Sequence, residues 1–291
     1  MSESSLPRRY RSDEPARLWK ISPDRVLNLD RVYTMGILNA TPDSFSDGGL
    51  FNTAEKAAEQ AARLAESGAD IIDIGCQSTR PGFSAVLPDE ELERLKTVLG
   101  AITAALPDGF PLSADTFCPS VARYALEHGV SIVNDVTGLR DPTMMKLVAE
   151  YGCGAVVMHD EDVTSCADPA AEISSFFERR VCECLEYGIA PEQLVLDCGI
   201  GFGKTREQEL WLLHHMDACR VRNLPLLAAA SRKRVVRQYY MPTAADIDSA
   251  TFAAHCDAVR SGAQLVRVHA VSRYLNISDT LSSISPNTFA A

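Results

Sequence analysis

The sequence predicts an α/β fold, a single (β/α)8 TIM barrel with an N-terminal extension, because eight short apolar segments alternate with helix-length segments. Most of the apolar segments are unbroken runs, which is typical of parallel strands covered on both sides. Nearly every segment ends in a polar residue, and barrel enzymes bind substrate at the carboxyl ends of their strands. The candidate strands are Thr34–Asn39, Asp70–Gly75, Pro111–Asp115, Ser131–Asp135, Ala155–His159, Leu194–Cys198, Pro225–Ala230 and Gln264–His269.

The structural alternative is a doubly wound open sheet. Such a sheet more often has fewer strands, and a glycine-rich turn follows its first strand. Here the first turn is Asn39-Ala40-Thr41-Pro42-Asp43-Ser44-Phe45-Ser46-Asp47-Gly48-Gly49. The eightfold repetition therefore favours the closed barrel.

The clearest helix is predicted over Asn52–Ser67, where alanines repeat at helical spacing. Asn52 is suited to cap this helix, and Gly68 is suited to end it. Two more helices are predicted to begin at Pro88, before an acidic first turn, and at Pro119.

Domain organisation follows from the same alternation, because the 291 residues show no break in composition. Residues 1–33 precede the first strand and are expected to form an arm or hairpin across the bottom of the barrel. The barrel is expected to span residues 34–283, and residues 284–291 are interpreted as a tail.

Composition limits the partners and the compartment. Apolar residues make up 46% of the chain, and the net charge of −11 argues against nucleic acid or an anionic membrane surface as a partner. No apolar run approaches the length of a membrane span, and no signal or transit peptide is convincing. The nine cysteines include no C-x-x-C pair and are interpreted as reduced thiols, so we expect a cytoplasmic protein.

Two carboxylates end candidate strands, Asp115 and Asp197. An ionised carboxylate offers two oxygens to a planar edge with adjacent N–H groups, as amino-pyrimidines and pterins have. Asn134 can donate to and accept from the same ring. The alternative is that the aspartates are helix caps or barrel ion pairs.

The segment from Asp197 to Thr205 resembles a phosphate loop but lacks its first glycine, since Cys198 occupies that position. We interpret its glycines as allowing backbone to approach a flat ligand, with an ordinary glycine-rich turn as the alternative.

Basic residues follow the last two candidate strands. Ser231-Arg232-Lys233-Arg234 comes after the seventh, and Arg267 and His269 share one face of the eighth. Barrels commonly bind phosphate near these two strands, which favours an anion site over a solvated basic run.

Several of these segments resemble motifs of the dihydropteroate synthases, a family of pterin-binding TIM barrels. Met35–Gly49 is similar to the first signature of that family, and six further motifs match in order, so that the resemblance covers residues 34–275. The further motifs are Ser78–Gly82, Asn134-Asp135, Val157–His159, Gly201–Lys204, Ser231–Lys233 and Arg267–His269.

The resemblance implies a transferase that condenses 6-hydroxymethyl-7,8-dihydropterin pyrophosphate with p-aminobenzoate, releasing pyrophosphate. It implies Mg²⁺ near Asn39 and a homodimer. The residues implied are Asp115, Asn134, Met158, Asp197, Phe202 and Lys233 for the pterin, Asn39, Arg267 and His269 for pyrophosphate, and Ser231 and Arg234 for p-aminobenzoate. The catalytic loop residues implied are Phe45, Ser78, Thr79, Arg80 and Pro81.

The chain departs from the family pattern at several positions. Gln77 stands where the family usually has Glu, Ala270 where an Asp usually supports the histidine, and Cys198 where Pro is usual. Arg234 replaces a serine that contacts the carboxylate of p-aminobenzoate, and we hypothesise that it discriminates this substrate from sulfonamides unless it points away from the pocket. Two alternatives remain: a non-catalytic pterin-binding paralogue, and a methyltetrahydrofolate-dependent methyltransferase with a corrinoid partner.

Overall fold

The computed structural model describes residues 15–40, 50–77 and 86–274, and it confirms the (β/α)8 barrel. Eight parallel strands, β3 to β10, close in chain order, with β10 pairing β3. The strands are β3 (Tyr33–Asn39), β4 (Ile71–Gly75), β5 (Leu112–Asp115), β6 (Ile132–Asp135), β7 (Gly154–Met158), β8 (Leu194–Asp197), β9 (Leu226–Ala228) and β10 (Leu265–Val268).

The observed strands lie within two residues of the predicted bounds. Their apolar side chains are buried on both faces, which is why the strands appear in the sequence as unbroken apolar runs. The last polar residues of several runs, such as His159 and His269, fall just after the strand.

In the described ranges eight helices pack outside the barrel, and four of them begin with proline, whose missing N–H costs nothing in the first turn. The start predicted for the first helix is wrong: it begins at Leu50, so Asn52 lies in the first turn and not at the cap. The helices are α1 (Leu50–Glu66), α2 (Pro88–Ala104), α3 (Pro119–Glu127), α4 (Pro142–Tyr151), α5 (Pro169–Glu186), α6 (Arg206–His214), α7 (Arg234–Tyr239) and α8 (Ile247–Arg260).

An antiparallel hairpin, β1 (Leu18–Ser22) and β2 (Arg25–Asn28), covers the amino-terminal end of the barrel. Trp19 and Ile21 are fully buried against Gly154 at the start of β7, and Trp19 Nε1 donates to the carbonyl of Gln193 at 2.9 Å. Their rings and methyl groups join the apolar side chains that fill the lower barrel. The hairpin therefore closes this end, and the carboxyl ends of the strands are left to bind ligands.

The expected tail from residue 284 onward lies outside the described residues. Within the part of the chain that the structure describes, none of the helices has the length and apolarity that crossing a membrane requires.

Candidate active site

A buried network of charges lies at the carboxyl ends of β4, β5, β6 and β10. Arg267 Nε donates to Asp73 Oδ2 at 2.6 Å, and Arg267 Nη2 donates to Asp115 Oδ2 at 2.6 Å. Asn134 Nδ2 donates to the same oxygen of Asp73 at 3.0 Å. The barrel thus brings together Asp115, Asn134 and Arg267, three of the predicted site residues.

Sequence reasoning missed Asp73, which lies at the centre of this network and is fully buried. The signal was present, because Asp73 is a charged residue inside the apolar run Ile71-Ile72-Asp73-Ile74. A buried carboxylate is stable only with a partner, so such a residue predicts a cation nearby. The partner, Arg267, is 194 positions away in the chain and could not be assigned from sequence alone.

Burial changes the protonation of this network. It raises the pKa of Asp115 to about 7, an effect that the charge of Arg267 opposes and that Asp73 and Glu91 reinforce. Asp115 Oδ1 is buried and has no hydrogen-bond partner among the described residues, and the same is true of Asp73 Oδ1. Asp115 therefore presents an unused acceptor at the barrel mouth.

A second group of site residues lies at the ends of β8 and β9. Asp197 Oδ1 accepts from the N–H of Gly199 at 2.8 Å, and the Lys233 ammonium donates to the carbonyl of Ile200. Lys233 Nζ also lies 5.0 Å from the centre of the half-buried Phe202 ring. Burial raises the pKa of Asp197 and lowers that of Lys233 to about 8. A flat ligand that enters this space meets a carboxylate, an ammonium and an aromatic ring.

The glycines after β8 do not all serve the purpose that the sequence suggested. A Cβ on Gly199 would lie 1.8 Å from the carbonyl oxygen of His159, and one on Gly203 would lie 2.3 Å from that of Glu161. These two glycines therefore allow close packing against the segment after β7. Gly201 alone faces the site, because a Cβ there would lie 3.1 Å from Cδ of Lys233.

Lys204 holds this glycine-rich loop from inside the protein. Its ammonium donates to His159 Nδ1 at 3.0 Å and to the carbonyl of Phe202 at 2.9 Å. Burial, reinforced by the charge of Lys204, lowers the pKa of His159 to about 3, so the imidazole is neutral. Since Lys204 is 4% exposed and faces protein acceptors, it is not placed as the lysine of a phosphate loop.

The remaining residues of the mouth lie near Gly75, at the end of β7 and after β10. A Cβ on Gly75 would lie 3.6 Å from Asn39 Oδ1 and 3.7 Å from Asp115 Oδ2, so the glycine lets these side chains lie close together. Met158, at the end of β7, is buried.

His269 is oriented despite Ala270. Ser231 Oγ lies 2.8 Å from His269 Nδ1 and accepts from the backbone N–H of His269 at 3.2 Å. The hydroxyl that the resemblance assigned to p-aminobenzoate thus supports the imidazole, in place of the carboxylate that the family usually supplies.

Gln77 also keeps a defined role. Its Nε2 donates to Glu91 Oε2 at 2.8 Å, and Glu91 is 1% exposed. Burial raises the pKa of Glu91 to about 7, against the effects of Thr116 and Arg94. A glutamate at position 77 would have to share a proton with Glu91, whereas the amide of Gln77 donates to one oxygen of Glu91 without one. The other oxygen, Glu91 Oε1, has no hydrogen-bond partner among the described residues.

Arg234 is exposed at the start of α7. The predicted loop residues Phe45, Ser78, Thr79, Arg80 and Pro81 lie outside the described residues. The mouth that is described therefore combines carboxylates in its centre with cations on one side, which suits a ligand that has a polar planar ring and an anionic group.

Comparison with known proteins identifies the family of this chain. The model of a family described as "Pterin binding enzyme" matches residues 35–269. A dihydropteroate synthase of Synechocystis sp. is 39% identical in an alignment of 263 residues, which covers 86% of this chain and 90% of the relative.

Solved structures give the same result. A dihydropteroate synthase of Clostridium difficile, determined in the presence of pteroic acid, has a TM-score of 0.81 at 38% identity and covers 87% of this chain and 97% of its own. The Xanthomonas albilineans enzyme with 4-aminobenzoic acid also has a TM-score of 0.81 at 38% identity, and the match covers 92% of this chain and 99% of that enzyme.

The barrel and the matched family model define the class of this protein as a pterin-binding enzyme. Given its identity to these relatives over most of its length, the chain belongs to the dihydropteroate synthase family.

Proposed function

We propose that this chain condenses 6-hydroxymethyl-7,8-dihydropterin pyrophosphate with p-aminobenzoate to give 7,8-dihydropteroate and pyrophosphate. The observation that carries the proposal is the buried, unpartnered Oδ1 of Asp115 at the mouth of the barrel. A buried acceptor without a hydrogen bond destabilises the protein, and a ligand N–H that donates to it removes this penalty. A pterin has several N–H groups on one edge, and relatives of this chain are pterin-binding enzymes.

In this proposal the pterin lies between the two groups of the site. Asp115 and Asp197 accept from its N–H groups, and Asn134 is fixed by Asp73 so that its other amide atoms face the ring. Lys233 donates to a ring acceptor, while Met158 and Phe202 contact the ring faces. Each polar contact is made in a buried site, where it is stronger than in water.

Departure of pyrophosphate places negative charge near β10 and β3. Arg267 pairs through Nε and Nη2, which leaves Nη1 to donate to a phosphate oxygen. His269, oriented by Ser231, and Asn39 lie on the same side. These groups stabilise the leaving anion before the arylamine nitrogen attacks the pterin carbon.

Mg²⁺ is proposed near Asn39. Its amide oxygen is a hard donor at the mouth, and Mg²⁺ is usually held by one or two protein oxygens together with substrate phosphates. In the described part of the chain, no group of three or more His, Cys, Asp or Glu residues forms a metal site of its own. Asn39 fits a cation that arrives with pyrophosphate, and the ion would neutralise charge on the leaving group.

p-Aminobenzoate is proposed to contact Ser231 and Arg234, with Phe45, Ser78, Thr79, Arg80 and Pro81 completing the site when substrates are bound. Arg234 is exposed, so it is accessible to the carboxylate of this substrate. We expect Arg234→Ser to change both the p-aminobenzoate KM and sulfonamide inhibition. No change in either quantity would contradict this role.

A homodimer and a cytoplasmic location are also proposals. Trp211 on α6 is 41% exposed and stacks on His215, so α6 offers an aromatic surface to a second copy. All nine cysteines are unpaired, which fits a reducing compartment. Light scattering at several concentrations tests the dimer.

The test of the activity is pyrophosphate release from dihydropterin pyrophosphate with Mg²⁺, measured with and without p-aminobenzoate. Multiple turnovers that require p-aminobenzoate support the synthase. Pterin binding with no pyrophosphate release would instead support the non-catalytic paralogue.

A further inference from the structure

The turn between β9 and α7, residues 230–233, carries two site residues in a strained backbone. Ser231 contacts His269, and Lys233 reaches Ile200. Between them Arg232 has a φ of 59°, in the left-handed region that non-glycine residues seldom adopt. Such a conformation persists only where neighbouring groups fix it.

Three side chains of α8 supply that fixation, and all lie on one face of the helix. Asp248, Thr251 and His255 are spaced by three and four residues, so they project toward the same side. Asp248 binds the guanidinium of Arg232 through two hydrogen bonds, of 2.7 and 2.9 Å. Thr251 Oγ1 accepts from the backbone N–H of Arg232 at 3.1 Å.

The third side chain, His255, is fully buried and holds the first residue of the turn. Its Nε2 accepts from the backbone N–H of Ala230 at 3.2 Å, and its Nδ1 lies 2.6 Å from the Tyr274 hydroxyl. An imidazole nitrogen that accepts carries no hydrogen, so the hydrogen of this ring is on Nδ1 and is donated to Tyr274. Burial, reinforced by the charge of Lys233, lowers the pKa of His255 to about 3, which agrees with a neutral ring.

We infer that His255 is a positioning residue: as the neutral Nδ1–H tautomer it fixes the amide of Ala230, and through the turn it sets Ser231, His269 and Lys233 for the pterin substrate. This inference rests on the proposed function, because it names the ligand that the turn serves. His255 itself does not contact substrate. Its effect is therefore expected on substrate affinity and on the state of His269.

The first measurement is ¹⁵N NMR of the full-length protein labelled at its six histidines. His255 is expected to show a protonated Nδ1 and an unprotonated Nε2, assigned by loss of its signals in His255→Gln. An Nε2–H tautomer would overturn the inference, because that nitrogen could not accept from Ala230. This result does not depend on turnover, so it separates failure of the inference from failure of the proposed function.

The second measurement is the Kd for dihydropterin pyrophosphate by titration calorimetry. His255→Leu removes the acceptor at similar volume. We expect the Kd to rise about tenfold, which is the effect expected when one buried donor loses its hydrogen-bond partner. The ¹⁵N signals of His269 should shift in the same variant. His255→Gln, whose amide oxygen can accept from Ala230, should have a Kd and His269 signals close to those of the wild type.

Val259→Ala is the matched control, since Val259 is buried on α8 and takes no part in the hydrogen bonds that hold the turn. It should lower stability while leaving the Kd and the His269 signals unchanged. If the leucine and glutamine variants both behave like this control, the inference is overturned. Should His255→Leu fail to fold, Thr251→Val, which removes the acceptor for Arg232, provides the same readouts with the same expected direction.

Discussion

In the proposed site, Asp115 and Lys233 are the residues whose ionisation is expected to set the pH range of binding. Burial raises the pKa of the first to about 7 and lowers the pKa of the second to about 8. In the proposed function, binding needs Asp115 ionised, which favours higher pH, and Lys233 protonated, which favours lower pH.

We therefore expect kcat/KM for dihydropterin pyrophosphate to have a bell-shaped pH profile, with limbs near the pKa values of about 7 and about 8. Initial rates across a pH range of about 5.5 to 9.5 measure it. Lys233→Met should lower the rate and remove the alkaline limb. If the limb stays in the variant, another group causes it.

Asp73 makes a separate contribution at the residue scale, because its negative charge helps to raise the pKa of Asp115. Asp73→Asn removes that charge while keeping the shape, so the acid limb should move to lower pH. The same profile, measured beside Asp108→Asn on the exposed surface as control, tests this shift. An acid limb that stays in place or moves upward would contradict the electrostatic role.

The strands and helices were largely predictable from sequence, since parallel barrel strands are buried on both faces and four helices begin at proline. Strand ends differ by one or two residues because polar residues such as His159 and His269 lie just after the strand. The start predicted for the first helix was two residues late, because Asn52 is a residue type that favours the cap, whereas the helix begins at Leu50. The contacts between elements, such as Asp73 with Arg267, depend on barrel closure, and no local pattern encodes them.

The hairpin β1–β2 is the element whose stabilising effect is easiest to test. Trp19 is fully buried under the barrel, whereas its neighbour Leu18 is 51% exposed. We expect Trp19→Ala to lower the free energy of unfolding by about 3–5 kcal/mol, as for other large buried aromatic residues. Leu18→Ala should change it by less than about 0.5 kcal/mol. Urea unfolding of both variants measures these changes. Equally small losses of unfolding free energy in both would mean that the hairpin contributes little to stability.

At the scale of the whole molecule, several carboxyl groups are buried near the site. Burial raises the pKa to about 7 for Asp115 and Glu91 and to about 6 for Asp135. Each folded-state pKa lies above the ordinary value, so the folded protein binds more protons than the unfolded chain between these values. Ionising these carboxyl groups at neutral pH therefore lowers folding stability, which is common at enzyme active sites.

Above pH 6.5, the ordinary pKa of histidine, the ligand-free protein should thus lose stability as pH rises to about 7.5, by about 1.4 kcal/mol for each tenfold difference in proton affinity between the folded and unfolded states. Below pH 6.5 the buried neutral rings of His159 and His255 oppose this slope, because the unfolded chain would protonate them. Urea denaturation at stepped pH measures this slope, and Asp115→Asn should make it shallower. A free energy of unfolding that increases with pH over this range would show that the acids are not held protonated.

Recognition of a pterin by the buried carboxylates at the carboxyl ends of the strands is central to the proposed function. Its most direct test is the Kd for dihydropterin pyrophosphate in the wild type, in Asp115→Asn and in Asp217→Asn, whose aspartate lies outside the site. We predict measurable binding to the wild type, a loss of about 10- to 100-fold in the first variant, as expected for a hydrogen bond to a charged group, and no change in the second. Equal affinities in all three proteins would contradict this recognition.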